Sequence, residues 1–192
     1  MSNVSFYEYA KLNAEQKAAL LRRSETDISG FIEKVQPIIE AVKNEGDAAV
    51  ARFGRELDKS VITEKDIKVT QEEFDAAFKL VDADVINSIE FGVDNIRRFH
   101  EEQKPEPMWL KEIRPGAFAG DRFTPLSSVA LYVPRGKGSF PSVTMMTSVP
   151  AVVAGVPDVA IVTPPGPDGT VDAATLVAAR IAGVETVYKV GG

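Results

Sequence analysis

Ala154-Gly155-Val156-Pro157-Asp158-Val159-Ala160-Ile161-Val162 is answered 28 residues later by Ala182-Gly183-Val184-Glu185-Thr186-Val187-Tyr188-Lys189-Val190. In each copy a helical pattern stops at a glycine, and a β-branched run begins two or three residues on. With Val129 to Val133 as a first apolar run, residues 127–192 read strand–helix–strand–helix–strand. Runs apolar on successive residues are those of parallel strands covered by helices. The predicted architecture is therefore α/β, a parallel βαβαβ layer, with strands at Val129–Val133, Val159–Val162 and Thr186–Val190. Layers of this kind take ligands outside the carboxyl ends of their strands, so the loop Tyr132-Val133-Pro134-Arg135-Gly136-Lys137-Gly138 is the first place to seek a site.

Upstream of this layer the chain reads as mostly helical. Asn13 caps a short helix to Arg22 or Arg23, with Glu15 in its first turn. From about Asp27, a second helix aligns Ile28, Phe31, Ile32, Val35, Ile38, Ile39 and Val42 and stops at Gly46, with Pro37 expected to bend or split it. Asp47 opens a short helix to about Glu56, with Ala49, Val50 and Phe53 inward. Thr70-Gln71-Glu72-Glu73 is a capping box ahead of a helix to about Lys79. Asp82 starts the longest helix, to about Glu102, with Val85, Ile86, Ile89, Val93, Ile96 and Phe99 inward. Residues 61–70 are strand or loop, and residues 110–113 and 117–123 pair as short strands turning at Pro115-Gly116. Within the layer, Pro141 to Val153 form the first crossover helix, which Pro150 kinks or breaks, and Val171 to Ala182 form the second.

Of the 192 residues 44% are hydrophobic and 26% charged, an ordinary globular composition, and the net charge of −6 argues against a nucleic-acid surface. No apolar run has membrane-spanning length, and the N-terminus lacks the pattern of a signal peptide. The absence of cysteine excludes disulfides and thiolate metal sites and fits a cytoplasmic location. Residues 125–192 hold four basic and four acidic residues, leaving 18 basic and 24 acidic to residues 1–124. That shift near Pro125 suggests a helical unit over 1–124 and the parallel layer over 125–192.

The Tyr132 loop combines an aromatic ring, glycines, two cations and hydroxyls ahead of a helix N-terminus, which suits an anion or a stacked ring. The plainer reading is a turn with solvated cations. His100 is the one histidine, and no His, Cys or carboxylate stands at metal-site spacing from it, so it reads as structural. Ser127, Ser128, Ser139 and Ser142 lack a neighbouring histidine base. Pro164 to Gly169 is a turn signal first and a ligand contact second. No catalytic residue and no metal ligand emerges from the residues themselves.

Several segments closely resemble histidinol dehydrogenases: Ser128 to Pro134, Phe140-Pro141-Ser142-Val143, Met146-Thr147, Pro150-Ala151, Val153 to Val156, Thr163-Pro164-Pro165, Ala182-Gly183-Val184 and Tyr188 to Gly192. Gly46-Asp47-Ala48-Ala49, Asn95 to His100 and Gln103-Lys104 match as well. The resemblance implies an incomplete Rossmann-like layer in an aldehyde-dehydrogenase-like architecture. It implies NAD and zinc as cofactors, a homodimer, and two-step oxidation of a small amino alcohol, histidinol, to histidine. It makes Tyr132 the NAD-contacting tyrosine and Pro134 the proline beside it. Two departures stand out: Arg135-Gly136 where the family has Gly-Gly, and Leu57-Asp58 where many members have Phe-Asp.

Family members are about twice as long, and their zinc ligands, catalytic glutamate–histidine pair and substrate contacts fall beyond Gly192. The chain accordingly reads as an N-terminal portion, expected to yield no NADH from histidinol by itself. Zinc ligands, and a C-terminal half or second subunit as partner, are expected outside it. Alternatives are a non-catalytic nucleotide-binding or assembly module, and a paralogue acting on another amino or sulfonated alcohol. A last strand at residues 186–190 should leave one sheet edge bare unless another segment or subunit covers it, favouring self-association or marginal stability.

Overall fold

A computed structural model describes residues 6–21, 29–136 and 138–191. The expected helix end at Arg22 or Arg23, the start at Asp27 with Ile28, and Lys137 and Gly192 lie outside the described residues. Contacts divide the chain into two compact units, Met1–Lys43 and Asn44–Gly192.

In the first unit, α1 (Ala14–Leu21) is capped reciprocally. Asn13 Oδ1 accepts the Gln16 amide at 2.8 Å, and Gln16 Oε1 accepts the Asn13 amide at 3.0 Å. This is a capping box with glutamine as its second member. Then α2 (Ser29–Glu45) runs through Pro37 as one helix. The proline removes a hydrogen bond without dividing the helix.

The second unit contains α3 (Asp47–Glu56), α4 (Gln71–Leu80), α5 (Ala83–Gln103), the strands β1 (Met108–Arg114) and β2 (Ala117–Arg122), and then the layer. The layer is β3 (Ser128–Tyr132), α6 (Pro141–Ala154), β4 (Asp158–Thr163), α7 (Ala173–Ala182) and β5 (Thr186–Lys189). All three strands are parallel in the order β3-β4-β5, with Leu131, Ile161 and Val187 in one row and Tyr132, Val162 and Tyr188 in the next. Leu131, Ile161 and Val187 pack into the core with residues of α4, α5, α6 and α7. The neighbouring row projects from the other face and remains half-buried or exposed. Pro150 sits inside an uninterrupted α6. Asp172 caps α7, and Val171 joins the core, so that helix begins two residues later than its apolar pattern suggests.

The sequence echo is a repeated helix ending. Gly155 (φ 82°) and Gly183 (φ 96°) occupy the left-handed region. Their amides reach back to Val152 and Arg180, while the following valine amides, Val156 and Val184, reach Ala151 and Ala179 at 3.1 and 2.9 Å. That pair of bonds is the Schellman motif, and glycine adopts its positive φ without the Cβ penalty. Each Ala-Gly-Val therefore ends one crossover helix and turns the chain into the next strand.

One expectation needs correction. On α5, Ile89 and Val93 are buried and Ile86 and Ile96 pack against the core, but Val85 and Phe99 are 43% and 60% exposed. At 100° per residue, Phe99 lies about 100° around the helix from the centre of the buried stripe. The outer edge of β5 is covered by another segment of the chain. After a 3-10 turn at Glu64–Asp66, the Val69 amide donates to the Val187 carbonyl at 2.9 Å, and the Lys189 amide to the Ile67 carbonyl at 2.7 Å. A short antiparallel bridge thus covers that edge.

The β1–β2 ribbon is antiparallel, irregular between Glu112 and Arg114, and exposed at every residue, Trp109, Leu110, Ile113 and Phe118 included. A Cβ at Gly120 would stand 1.9 Å from the Trp109 carbonyl oxygen, so the close backbone approach requires glycine there.

Candidate functional site

The carboxyl ends of β3, β4 and β5 bring three chain segments to one margin of the sheet. Tyr132 ends β3 with its side chain 48% exposed, on the sheet face that the core helices leave open. Buried Val133 continues the pairing, its amide donating to the Val162 carbonyl at 2.9 Å. Strand pairing thus fixes the backbone on both sides of the tyrosine, while Pro134, Arg135 and Gly136 are exposed.

After β4, Pro164, Pro165 and Gly166 are buried, unlike an ordinary surface turn. The loop closes on itself: the Gly166 amide donates to the Thr170 carbonyl at 2.7 Å, and the Gly169 amide to the Gly166 carbonyl at 2.9 Å. Asp168 Oδ1 accepts the Thr170 amide at 3.1 Å and the Thr170 hydroxyl at 2.9 Å. These bonds to Thr170, with the nearby Arg135 guanidinium, hold the Asp168 carboxyl below the usual carboxylate range.

The β3–α6 and β4–α7 loops are tied together by Asp172. Its Oδ2 accepts the Ser139 hydroxyl at 2.6 Å, and also the Thr175 amide and hydroxyl at 2.8 and 2.9 Å. One carboxylate therefore caps α7 and anchors the glycine-containing loop that follows Tyr132. Ser139, weighed in the sequence as a nucleophile without a base, serves as this anchor.

Beyond β5, the Asp58 carboxylate lies so close to Gly191 that a Cβ there would overlap it. Partial burial raises the Asp58 carboxyl from its ordinary value. Lys59, with φ 58°, turns the chain sharply just after it. Asp58 is 133 residues from Gly191 in sequence, and no local pattern announces their meeting. Next to the open row, α3 and the Glu64–Asp66 turn enclose a cleft of about 360 Å³ lined by Val50, Ile67, Val162, Tyr188 and Val190.

His100 stands apart from this margin. It is half-buried, stacks edge-on with Phe99 at 5.3 Å, and lines a separate apolar cleft of about 580 Å³ with Pro107, Phe123, Pro125 and Pro150. Among the described residues, no three His, Cys, Asp or Glu side chains stand together as metal ligands. The described residues therefore do not fit zinc. They do fit a dinucleotide: an open aromatic ring, a glycine-floored loop, and a cation and an anion on one margin. No helix among the described residues is long and apolar enough to cross a membrane.

The family model for histidinol dehydrogenase matches residues 21–192. The chain is 82% identical over 192 residues to a "Histidinol dehydrogenase homolog" of Rhizobium meliloti (strain 1021), covering all of this chain and 42% of that protein. It is 46% identical over 181 residues to a "Histidinol dehydrogenase" of Synechocystis sp., covering 94% of this chain and 42% of that one. The crystal structure of histidinol dehydrogenase from Elizabethkingia anophelis superposes with a TM-score of 0.85 at 29% identity, over 94% of this chain and 41% of its own. The chain thus spans less than half the length of the relatives it matches. Both sequence and fold agree from the helices through the third parallel strand, and the chain belongs to the histidinol dehydrogenase family.

Proposed function

We propose that this chain supplies the NAD-facing part of an oxidoreductase of the histidinol dehydrogenase type, which oxidises an amino alcohol. The observation that carries this reading is Tyr132, presented by a paired strand at the carboxyl end of the parallel layer with nearly half its surface free. Its ring offers a stacking face for a nicotinamide or adenine, and Pro134 beside it fixes the direction in which the loop leaves the strand. Bound NAD would supply the hydride acceptor. The residues of this chain would orient it: Tyr132 by contact, Asp172 by anchoring the loop, and the buried Pro164-Pro165-Gly166 segment by giving that loop a firm neighbour.

The chemical half of the reaction, with zinc and a base, belongs in this proposal to residues outside the chain. The whole protein would act in the cytoplasm as a homodimer, or with a C-terminal half covering surfaces such as the apolar β1–β2 ribbon. A second reading changes only the substrate. The relatives that share 54% to 82% identity carry the name "homolog", whereas those at 36% to 46% are named histidinol dehydrogenase outright. That division supports another small alcohol as the compound oxidised.

The test is equilibrium binding of NAD to the chain and to its Tyr132→Ala variant. Saturable binding should weaken about tenfold in the variant, the loss of one stacked ring face. Its melting temperature should stay near that of the unaltered chain, because the ring is half in solvent. Equal affinity in the two proteins would overturn the assignment of Tyr132.

A further inference from the structure

The apolar cleft of about 580 Å³ beside His100 lies at the end of the layer opposite to Tyr132. Its walls come from the segments that lead into β3 and β4, with Phe123 and Pro125 on one and Pro150 and Ala154 of α6 on the other. Ser128 and Asp158, the first residues of those strands, pair with each other, so both segments reach the amino ends of the sheet. Tyr132 marks the carboxyl end, and α6, 14 residues long, spans the interval of about 20 Å between the two places. A ligand in one leaves the other free.

Four of the lining residues are prolines, whose rings fix the backbone around the cleft. The Phe123 amide donates to the Pro107 carbonyl at 3.0 Å and ties two of these segments together. The cleft is thus preformed, and its volume falls within the range of about 300–1,000 Å³ that takes a small ligand. Phe123 is 48% exposed and offers a ring face for stacking. One end of the cleft is polar. His100, Gln103 and Lys104 stand at i, i+3 and i+4 where α5 ends, and so share a helix face. Each can donate a hydrogen bond, and Lys104 carries a charge that no carboxylate answers among the described residues. Glu101 and Glu102 lie about 100° and 200° around the helix from His100 and line no part of the cleft.

Rigid apolar walls ending in three donors and one cation are the complement of rings that carry a carboxylate. The rings would lie against Phe123 and the prolines, and the carboxylate would accept from Lys104, His100 and Gln103. A neutral aromatic leaves Lys104 unanswered, and a sugar phosphate forfeits the apolar walls. We infer that this cleft is a second binding site, for a small aromatic carboxylate, independent of the dinucleotide margin.

Calorimetric titration of the chain with 2-naphthoate tests it. Saturable binding is expected, and 2-naphthamide, the same rings without the charge, should bind about fivefold more weakly. Lys104→Gln should bring the two affinities within about twofold of each other. Ala154→Trp puts an indole into the cleft from its α6 wall and should abolish binding. Both residues are exposed, so melting temperatures should stay near that of the unaltered chain. If Ala154→Trp does not fold, Lys104→Gln decides alone. Absence of saturable binding, equal affinity for the acid and the amide, or binding that survives Ala154→Trp overturns the inference. Displacement of naphthoate by NAD does so too, because it places the probe at the Tyr132 margin. Sedimentation gives the remaining arm. A chain that dimerises, and that Ala154→Trp makes monomeric, holds a second copy in the cleft instead, which also overturns the inference.

Discussion

Phe74→Ala should lower the stability of the Asn44–Gly192 unit by about 3–5 kcal/mol, one of the two largest effects expected of a single change in this chain. Phe74 is 2% exposed and lies within the core that joins α4 to α7. Its ring supports the Arg180 guanidinium at 4.4 Å, and that same guanidinium reaches Gln71 Oε1 at 2.6 Å and Glu185 Oε1 at 3.0 Å. Truncation removes the buried ring area, opens a cavity beneath α4, and takes away the surface on which Arg180 is laid. The measurement is urea denaturation followed by circular dichroism, together with a melting temperature expected to fall by on the order of 10 °C. Phe99→Ala provides the contrast. Phe99 is the same residue type on the next helix, but 60% exposed, and its loss should cost no more than about 0.5 kcal/mol. Equal losses in the two variants would mean that the core is not where the structure puts it.

That contrast also marks how far the sequence can be read. The βαβαβ layer was legible because its signals are local and repeated: two Ala-Gly-Val helix endings and three β-branched runs. The capping box at Thr70 was legible for the same reason, since all its members lie within four residues. Phe99 misleads because a periodic stripe drifts around a long helix, and only the neighbours decide where burial stops. The Ile67–Val69 bridge on β5 escaped because no local pattern announces a single antiparallel pair between residues 120 apart in sequence. In the site, Tyr132 and Pro134 were placed by their position after a strand and by resemblance. The anchor from Asp172 to Ser139 and the approach of Asp58 to Gly191 are contacts between loops. Their spacing in sequence carries no trace of them.

Glu73→Gln should cost about 3 kcal/mol near neutral pH, the second large effect, although it alters one atom on a half-exposed helix start. Glu73 has divided duties. Its Oε2 accepts the Thr70 amide at 2.9 Å in the capping box, and its Oε1 accepts from Lys189 Nζ at 2.5 Å. Lys189 belongs to β5, and its side chain is 6% exposed, against 28% for Glu73. Glutamine preserves the capping geometry, so α4 should start where it does now. What the substitution removes is the charge that accompanies a nearly buried ammonium, and an uncompensated buried charge costs more than the pair itself contributes. Two features keep the figure at the low end of the range for buried pairs. Glu73 is open to water on one side, and Asp66 lies near enough to feel the Lys189 charge. The double variant Glu73→Gln, Lys189→Met should recover most of the loss, because it leaves neither a lone charge nor a void. Denaturation curves for both single variants and the double variant at one pH decide the matter. If Glu73→Gln alone loses less than about 0.5 kcal/mol, water already solvates the ammonium and the pair is a surface one. If the double variant is no better than Glu73→Gln, the defect lies in the cap and not in the charge.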